Sequence, residues 1–430
     1  MLPLLRDQGP ALSAFTADRA AALGGPGWLR ARRAEAAGRF ESTPMPTAAD
    51  ELWRYTPVAD LDLDRFALPV AGGGGVTSAF ADAVTDRAGL VHIADGRLVG
   101  VELSPEAQAA GVTVGPAEEE TTPLDPADPD ALTALHEAFV PEMVVIRVPA
   151  NAVVDQPIVV VQAITTEGAA VFPHVVVETG ESSEVTILDH WTSAADTTAF
   201  ASPVVELRAG DNSTLRYVGV QDFGEQVWST GYLLARPGRD ANTKVWLAAL
   251  GGGYARLYVD ARLDAQGANA DIAAVYFGED DQTHDFRSLQ NHVGSRSVSN
   301  FLLKGAVVDQ AHGIYTGLIR VLEGAKATES FLTNRNLVLN DGASVDSVPN
   351  LEIVNENDIR SCGHAAATGP VDEEHRFYLE SRGVPTDVAE RLIVFGFFDD
   401  VVSAMPIAGV REPLRQAVAR KLTKAVTSNG

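Results

Sequence analysis

A single cysteine, Cys362, stands in a chain of 430 residues. That count excludes an intrachain disulfide and suits a reducing compartment, so a cytoplasmic location is expected. Lysine is almost as scarce: Lys244, Lys304, Lys326, Lys421 and Lys424 are the five present, and none follows a glycine. There is accordingly no GxxxxGK[ST] segment, which excludes nucleotide binding by a P-loop. CxxC, HExxH and GxSxG are missing as well. No stretch approaches the roughly 18 apolar residues of a membrane span. The opening MLPLLRDQGP lacks a basic stretch, and its apolar run is too short for a signal peptide. Positive charge is in deficit: the formal net charge is −25. Nucleic acid and anionic membranes, which repel such a surface, are therefore not expected as partners.

What remains is ample for a core. Hydrophobic residues make up 46% and charged residues 21%, the balance of a globular protein, and the length implies two or three structural units. Residues 1–66 read as an N-terminal helical region. Ala11–Leu23 and Trp28–Phe40 are rich in Ala and Arg, and Gly24-Gly25-Pro26-Gly27 separates them. Trp53-Arg54-Tyr55 reads as a packing anchor with a cation–π contact. Residues 67–141 form a variable linker and β region. In it Ala71–Gly75 reads as a flexible linker, Gly89–Leu103 as a hairpin turning at Asp95-Gly96, and Gly115–Asp130 as an acidic surface loop or linker.

From residue 142 to 371 the pattern changes to a repeat. A β run, a glycine turn, a small or polar residue and a second β run recur, as in Val175–Leu188, Val204–Val218, Leu233–Leu247 and Leu318–Leu332. The turn glycines Gly180, Gly210, Gly238, Gly267, Gly294 and Gly324 are spaced by 30, 28, 29, 27 and 30 residues. A fixed period of strand and turn predicts a mainly β chain built as a parallel β-helix, or β-solenoid; a β-sandwich is the alternative. The glycines fit turns that need positive φ. Residues 372–430 read as a C-terminal helical region. Its first helix opens on Asp372 and stops at Gly383. A second starts at Thr386 and carries Val388, Leu392, Phe395 and Phe398. A third, Glu412–Val426, carries Leu414, Val418 and Leu422. Such helices could cap the solenoid end or dock a partner.

Chemistry concentrates where the β region hands over to the helices. Cys362 and His364 are two residues apart, so on a strand they share one face with Cα atoms roughly 6–7 Å apart. Thiolate and imidazole suit zinc, copper or iron–sulfur chemistry. Two ligands are half of a tetrahedral site, and a buried thiol beside a hydrogen-bonded histidine fits the same spacing. His284 and His292 have no recognised ligand spacing. Asp285 and Arg287 between them read as a solvated or interstrand charge pair.

Several motifs taken together carry a resemblance. They are Thr283-His284-Asp285, Gly313-Ile314-Tyr315-Thr316-Gly317, Thr333-Asn334-Arg335-Asn336-Leu337-Val338-Leu339 and Pro349-Asn350-Leu351-Glu352-Ile353. His364-Ala365-Ala366-Ala367-Thr368-Gly369 and Phe377-Tyr378-Leu379-Glu380-Ser381-Arg382-Gly383 continue the series. In them the chain resembles the SufB/SufD family of iron–sulfur cluster assembly scaffolds. Trp28-Leu29, Pro44-Met45-Pro46 and Trp53-Arg54-Tyr55-Thr56 resemble the family's helical front. Where SufB carries a cysteine thought to receive sulfur, an ungapped match places Ala343, so the chain looks most like SufD. It reads Ser-Cys-Gly-His where many relatives read Lys-Cys-Ser-His.

The resemblance implies a right-handed parallel β-helix and a scaffold rather than an enzyme. It implies a SufB-like paralogue at the β-helix end and a SufC-like ABC ATPase on the helices after residue 372. Cys362 and His364 would be cluster-site residues at the SufB interface, with a transient iron–sulfur cluster shared with SufB. It leaves open a flavin in the complex and a homodimer of the isolated chain. Two other readings stand beside it: a metal- or thiol-dependent enzyme with Cys362 as nucleophile and His364 as base, and a purely structural β-solenoid binding module.

Overall fold

The computed structural model describes residues 14–70, 77–354 and 358–428. The linker expectation for Ala71–Gly75 and the reading of MLPLLRDQGP lie outside the described residues. The architecture is a β-solenoid of about eight turns with helices toward both termini. Each turn gives one strand to each of two facing sheets. The first sheet runs, in spatial order, Arg97–Leu103, Gly89–Ala94, Ile158–Ile164, Glu184–Ser193, Thr214–Asp222, Asn242–Ala249, Asn269–Gly278, Val298–Val307, Glu329–Val338 and Ser361–Gly369. The second runs from Thr113–Pro116 through Met143–Val148, His174–Thr179, Val204–Ala209, Val227–Pro237, Tyr254–Leu263, Thr283–His292 and His312–Val321 to Ser344–Ile353. Neighbours pair in parallel, apart from the expected hairpin at Asp95-Gly96 and the pair of Thr113–Pro116 with Met143–Val148. In a parallel sheet covered on both sides, strands read as unbroken apolar runs. Ile158–Ile164, IVVVQAI, is such a strand and is buried throughout.

The turn glycines are structural, but for a different reason than positive φ. The left-handed position of successive coils is held by Ser182, Asn212, Asp240, Gly267, Arg296 and Ala327, with φ between 54° and 69°. Only Gly267 of the predicted glycines lies there. Gly180, Gly210 and Gly294 sit two residues before that position, where a Cβ would collide with the backbone of the coil beneath. Stacking distance, set by the general strand spacing of about 4.8 Å, selects glycine at these points.

The helices cover the flanks. Phe15, Ala36, Phe40 and Trp53 pack with Leu135 and Phe139 of helix Ala131–Phe139 and with Phe172 and Phe200. Leu29 of helix Gly27–Ser42 packs on Val145 and Val176 of the second sheet. Trp53 makes the expected cation–π contact, with Arg256 at 3.7 Å rather than with its neighbour Arg54. The acidic loop also lies on this sheet: Asp125 binds Arg262, and Asp128 accepts a bond of 2.5 Å from Tyr258. The C-terminal helices Glu373–Ser381, Thr386–Ala404 and Ala408–Ser428 do not cap the solenoid end. The last two lie along the first sheet, where Val394, Phe398, Val401, Leu414, Val418 and Leu422 cover Leu188, Val218, Val220, Val275 and Phe277. Lys304 fastens the middle helix through Asp400 at 2.6 Å and the Phe397 carbonyl at 2.8 Å. No helix among the described residues is long and apolar enough to cross a membrane.

Candidate functional site at the open solenoid end

Because the helices take the flank, the C-terminal end of the solenoid stays open. Ser344–Ile353 and Ser361–Gly369 each have a strand on one side only. Burial falls away accordingly. Every residue but one of Thr283–His292 is buried, whereas none of Ser361–Gly369 is. An exposed sheet edge presents unpaired N–H and C=O groups.

Cys362 and His364 share a face, as their spacing predicts, and that face is the interior one. They stand in register with Ser330 and Leu332, which are buried in the interior at 0% and 1% exposure. A further coil would bury both residues; in its absence Cys362 is half-buried and His364 exposed. Cys362 packs against the interior core. Burial pushes its thiol up, against a smaller opposing effect of the Gly363 backbone. A reactive cysteine needs the reverse shift, so the geometry does not favour a nucleophilic Cys362. Among the described residues the pair joins no group of three potential ligands; the one such group, Glu225, Glu279 and Asp280, lies elsewhere. There Lys421 binds Glu279 at 2.9 Å, so part of that acidic charge is already compensated.

His284 and His292 are not surface groups. Both are fully buried and face the interior. His292 is held by Ser297 at 2.7 Å and Ser299 at 2.8 Å, and burial lowers its pKa to about 4. Asp285 and Arg287 also depart from expectation. They are buried, with a bond of 2.8 Å along one strand rather than a solvated or interstrand pair. The interstrand partner of Asp285 is Arg256, at 3.0 Å. The helical region behind them closes this charge off from water, since Arg287 also donates to the Arg54 carbonyl.

A second exposed feature adjoins the open end. Helix Glu373–Ser381 buries none of its residues, and Phe377 and Tyr378 are 70% and 58% exposed. With Leu337, Pro370, Ile393 and Phe397, Tyr378 lines a groove of about 540 Å³. Of the stripe expected on the following helix, Phe398 faces the sheet, Val388 and Phe395 are half-buried, and Leu392 is exposed. Sequence reasoning missed the groove, whose walls come from a strand, a loop and two helices.

Residues 162–397 match the family described as SUF system FeS cluster assembly, SufBD core domain. The chain is 31% identical over 390 residues to an iron–sulfur cluster assembly SufBD family protein of Mycobacterium tuberculosis, covering 88% of this chain and 89% of the relative. It is 29% identical over 419 residues to the iron–sulfur cluster assembly protein SufD of Bacillus subtilis, covering 92% and 94%. For SufD of Escherichia coli the identity is 26% over 389 residues, covering 88% and 90%.

Proposed function

Since the chain belongs to the SufB/SufD family of iron–sulfur cluster assembly proteins and is SufD-like, we propose that it is the non-catalytic scaffold subunit of a SufBCD-type complex. It pairs through its open solenoid end with a SufB-like paralogue. The observation that carries this reading is the placement of Cys362 and His364 on the interior face of an edge strand with one free side. A partner that continues the sheets would bury both side chains and complete the half-site with its own ligands. A neutral imidazole can offer one nitrogen to iron while the other is held by a protein acceptor. The iron–sulfur cluster is then cargo, built between two chains and passed on. The exposed surface of Tyr378 and Leu392 supports a second contact, with a SufC-like ABC ATPase that supplies the nucleotide chemistry the chain's own motifs lack. In this reading the complex works in the cytoplasm.

The test is co-expression of the chain with a SufB-like and a SufC-like protein. A stable complex that gains iron and sulfide, and loses both with His364→Ala, supports the reading. A His364→Ala complex that assembles and fills normally would overturn the site. Rapid alkylation of Cys362 near neutral pH in the isolated chain would revive the thiol-enzyme reading instead.

A further inference from the structure

The interior of the solenoid changes character along its length. Near its start it is lined by Val175, Val177, Val205 and Leu207; near the open end Asn334, Asn336, Ser330 and Ser288 take such places. Within this polar stretch Tyr276 lies along the solenoid axis rather than filling its own coil. Gly305 and Gly313 make room for it, since a Cβ at either would collide with the tyrosine ring or hydroxyl. The hydroxyl passes over the strand Val298–Val307 and donates to Asn336 Oδ1 at 2.9 Å, two strands along the first sheet. Asn336 Nδ2 then donates to Asn334 Oδ1 at 2.8 Å and to Thr368 Oγ1 at 3.2 Å. Asn334 Oδ1 also accepts from Ser347 Oγ at 2.7 Å.

One connected network therefore reaches both terminal strands: Thr368 on Ser361–Gly369 and Ser347 on Ser344–Ile353. An edge strand has only one ladder of backbone bonds to fix it, and a satisfied network whose centre, Tyr276, Asn334 and Asn336, is buried rigidifies what it joins. We propose that Tyr276, Asn334 and Asn336 are positioning residues. They hold the two terminal strands at a set separation and thereby set how Cys362 and His364 are presented at the open end. The proposal rests on the assembly site described above and goes beyond it. It also gives a role to two motifs that the partner contacts leave unused. Gly313 of Gly313-Ile314-Tyr315-Thr316-Gly317 clears the slot for Tyr276, and Thr333-Asn334-Arg335-Asn336 supplies the junction.

The experiment compares Tyr276→Phe with Tyr315→Phe. Tyr315 is equally buried, but its hydroxyl bonds Ser288 at 2.7 Å and reaches neither terminal strand through this network. Hydrogen exchange is followed in the isolated full chain over 344–353 and 361–369, beside the melting temperature. Tyr276→Phe is expected to speed exchange in both segments about tenfold, and Tyr315→Phe to leave them unchanged at a similar melting loss. Thr368→Val, at an exposed edge where folding is not at risk, should loosen 361–369 alone, and Thr368→Ser should restore it. Equal exchange in the two tyrosine variants, or no change with Thr368→Val, overturns the proposal. The same variants are then assembled with SufB-like and SufC-like partners, and the visible absorption of the cluster is recorded. Tyr276→Phe should lower and shift it, and Tyr315→Phe should not. A normal spectrum for Tyr276→Phe, with the signal lost in His364→Ala, overturns the positioning role while the site stands. A normal spectrum for His364→Ala as well sinks the site, and this proposal with it.

Discussion

His364 is exposed on a strand that has one neighbour, so removing its ring empties no core. His364→Ala should cost less than about 1 kcal/mol of stability, as at an exposed site. Loading of the assembled complex with iron and sulfide should nonetheless fall sharply. Cys362→Ser should reduce loading less, because the resemblance assigns the sulfur-accepting cysteine to the SufB-like paralogue and burial pushes the thiol here up. Parallel measurement of melting temperature and of iron and sulfide content checks both; a large melting loss with normal loading would make His364 a structural residue. His292 behaves oppositely. Its folded pKa of about 4 lies below the ordinary value near 6.5, so its contribution is full above pH 6.5 and is lost as pH falls from there toward 4. Each such group adds a slope of about 1.4 kcal/mol per pH unit in that window. In the variant His292→Asn the pH dependence of unfolding free energy should flatten by about that slope; an unchanged slope would mean that the ring is protonated when folded. At this scale the shared face of Cys362 and His364 was legible in their spacing alone. The burial of His292, Asp285 and Arg287 was not. A polar run looks solvated until the coils above and below it, about 30 residues away in sequence, are stacked on it.

Strands and turns were legible because their period repeats, and so was the hairpin at Asp95-Gly96. The reason for the turn glycines was not, because a clash with the coil beneath leaves no local trace beside that of a positive φ. The C-terminal helices show the same limit more sharply. Leu414, Val418 and Leu422 form the stripe expected of them, yet a stripe does not say whether its own chain or a partner covers it. Here the chain's own sheet does. Removing the helices after residue 384 would therefore strip Val218, Val275 and Phe277, and should destabilise the solenoid rather than give a clean test of partner binding. Leu414 is fully buried, so Leu414→Ala should cost about 2–5 kcal/mol, seen as a lower denaturant midpoint. A surface change is the better probe of docking. Leu392 is 49% exposed, and Leu392→Asp should leave the midpoint within about 0.5 kcal/mol while weakening capture of a SufC-like ATPase at least tenfold. Unaltered capture would move the docking surface off this helix.

As a whole the molecule is a solenoid closed along both flanks and open at one end. The first sheet is covered by the C-terminal helices and the second by the N-terminal helices and the acidic loop. That division leaves two edge strands, the half-site and the interior network of Tyr276 at the same end. A long exposed edge invites pairing, and in the proposed reading a SufB-like paralogue is what pairs with it. The central claim is that this end is where the paralogue joins. Hydrogen exchange of the full chain, alone and saturated with a SufB-like paralogue, tests it most directly. The account predicts strong protection on binding in 344–353 and 361–369, with the flanking helix Ala131–Phe139 unchanged. Unaltered exchange in both edge strands, with protection appearing on a flank instead, would contradict it.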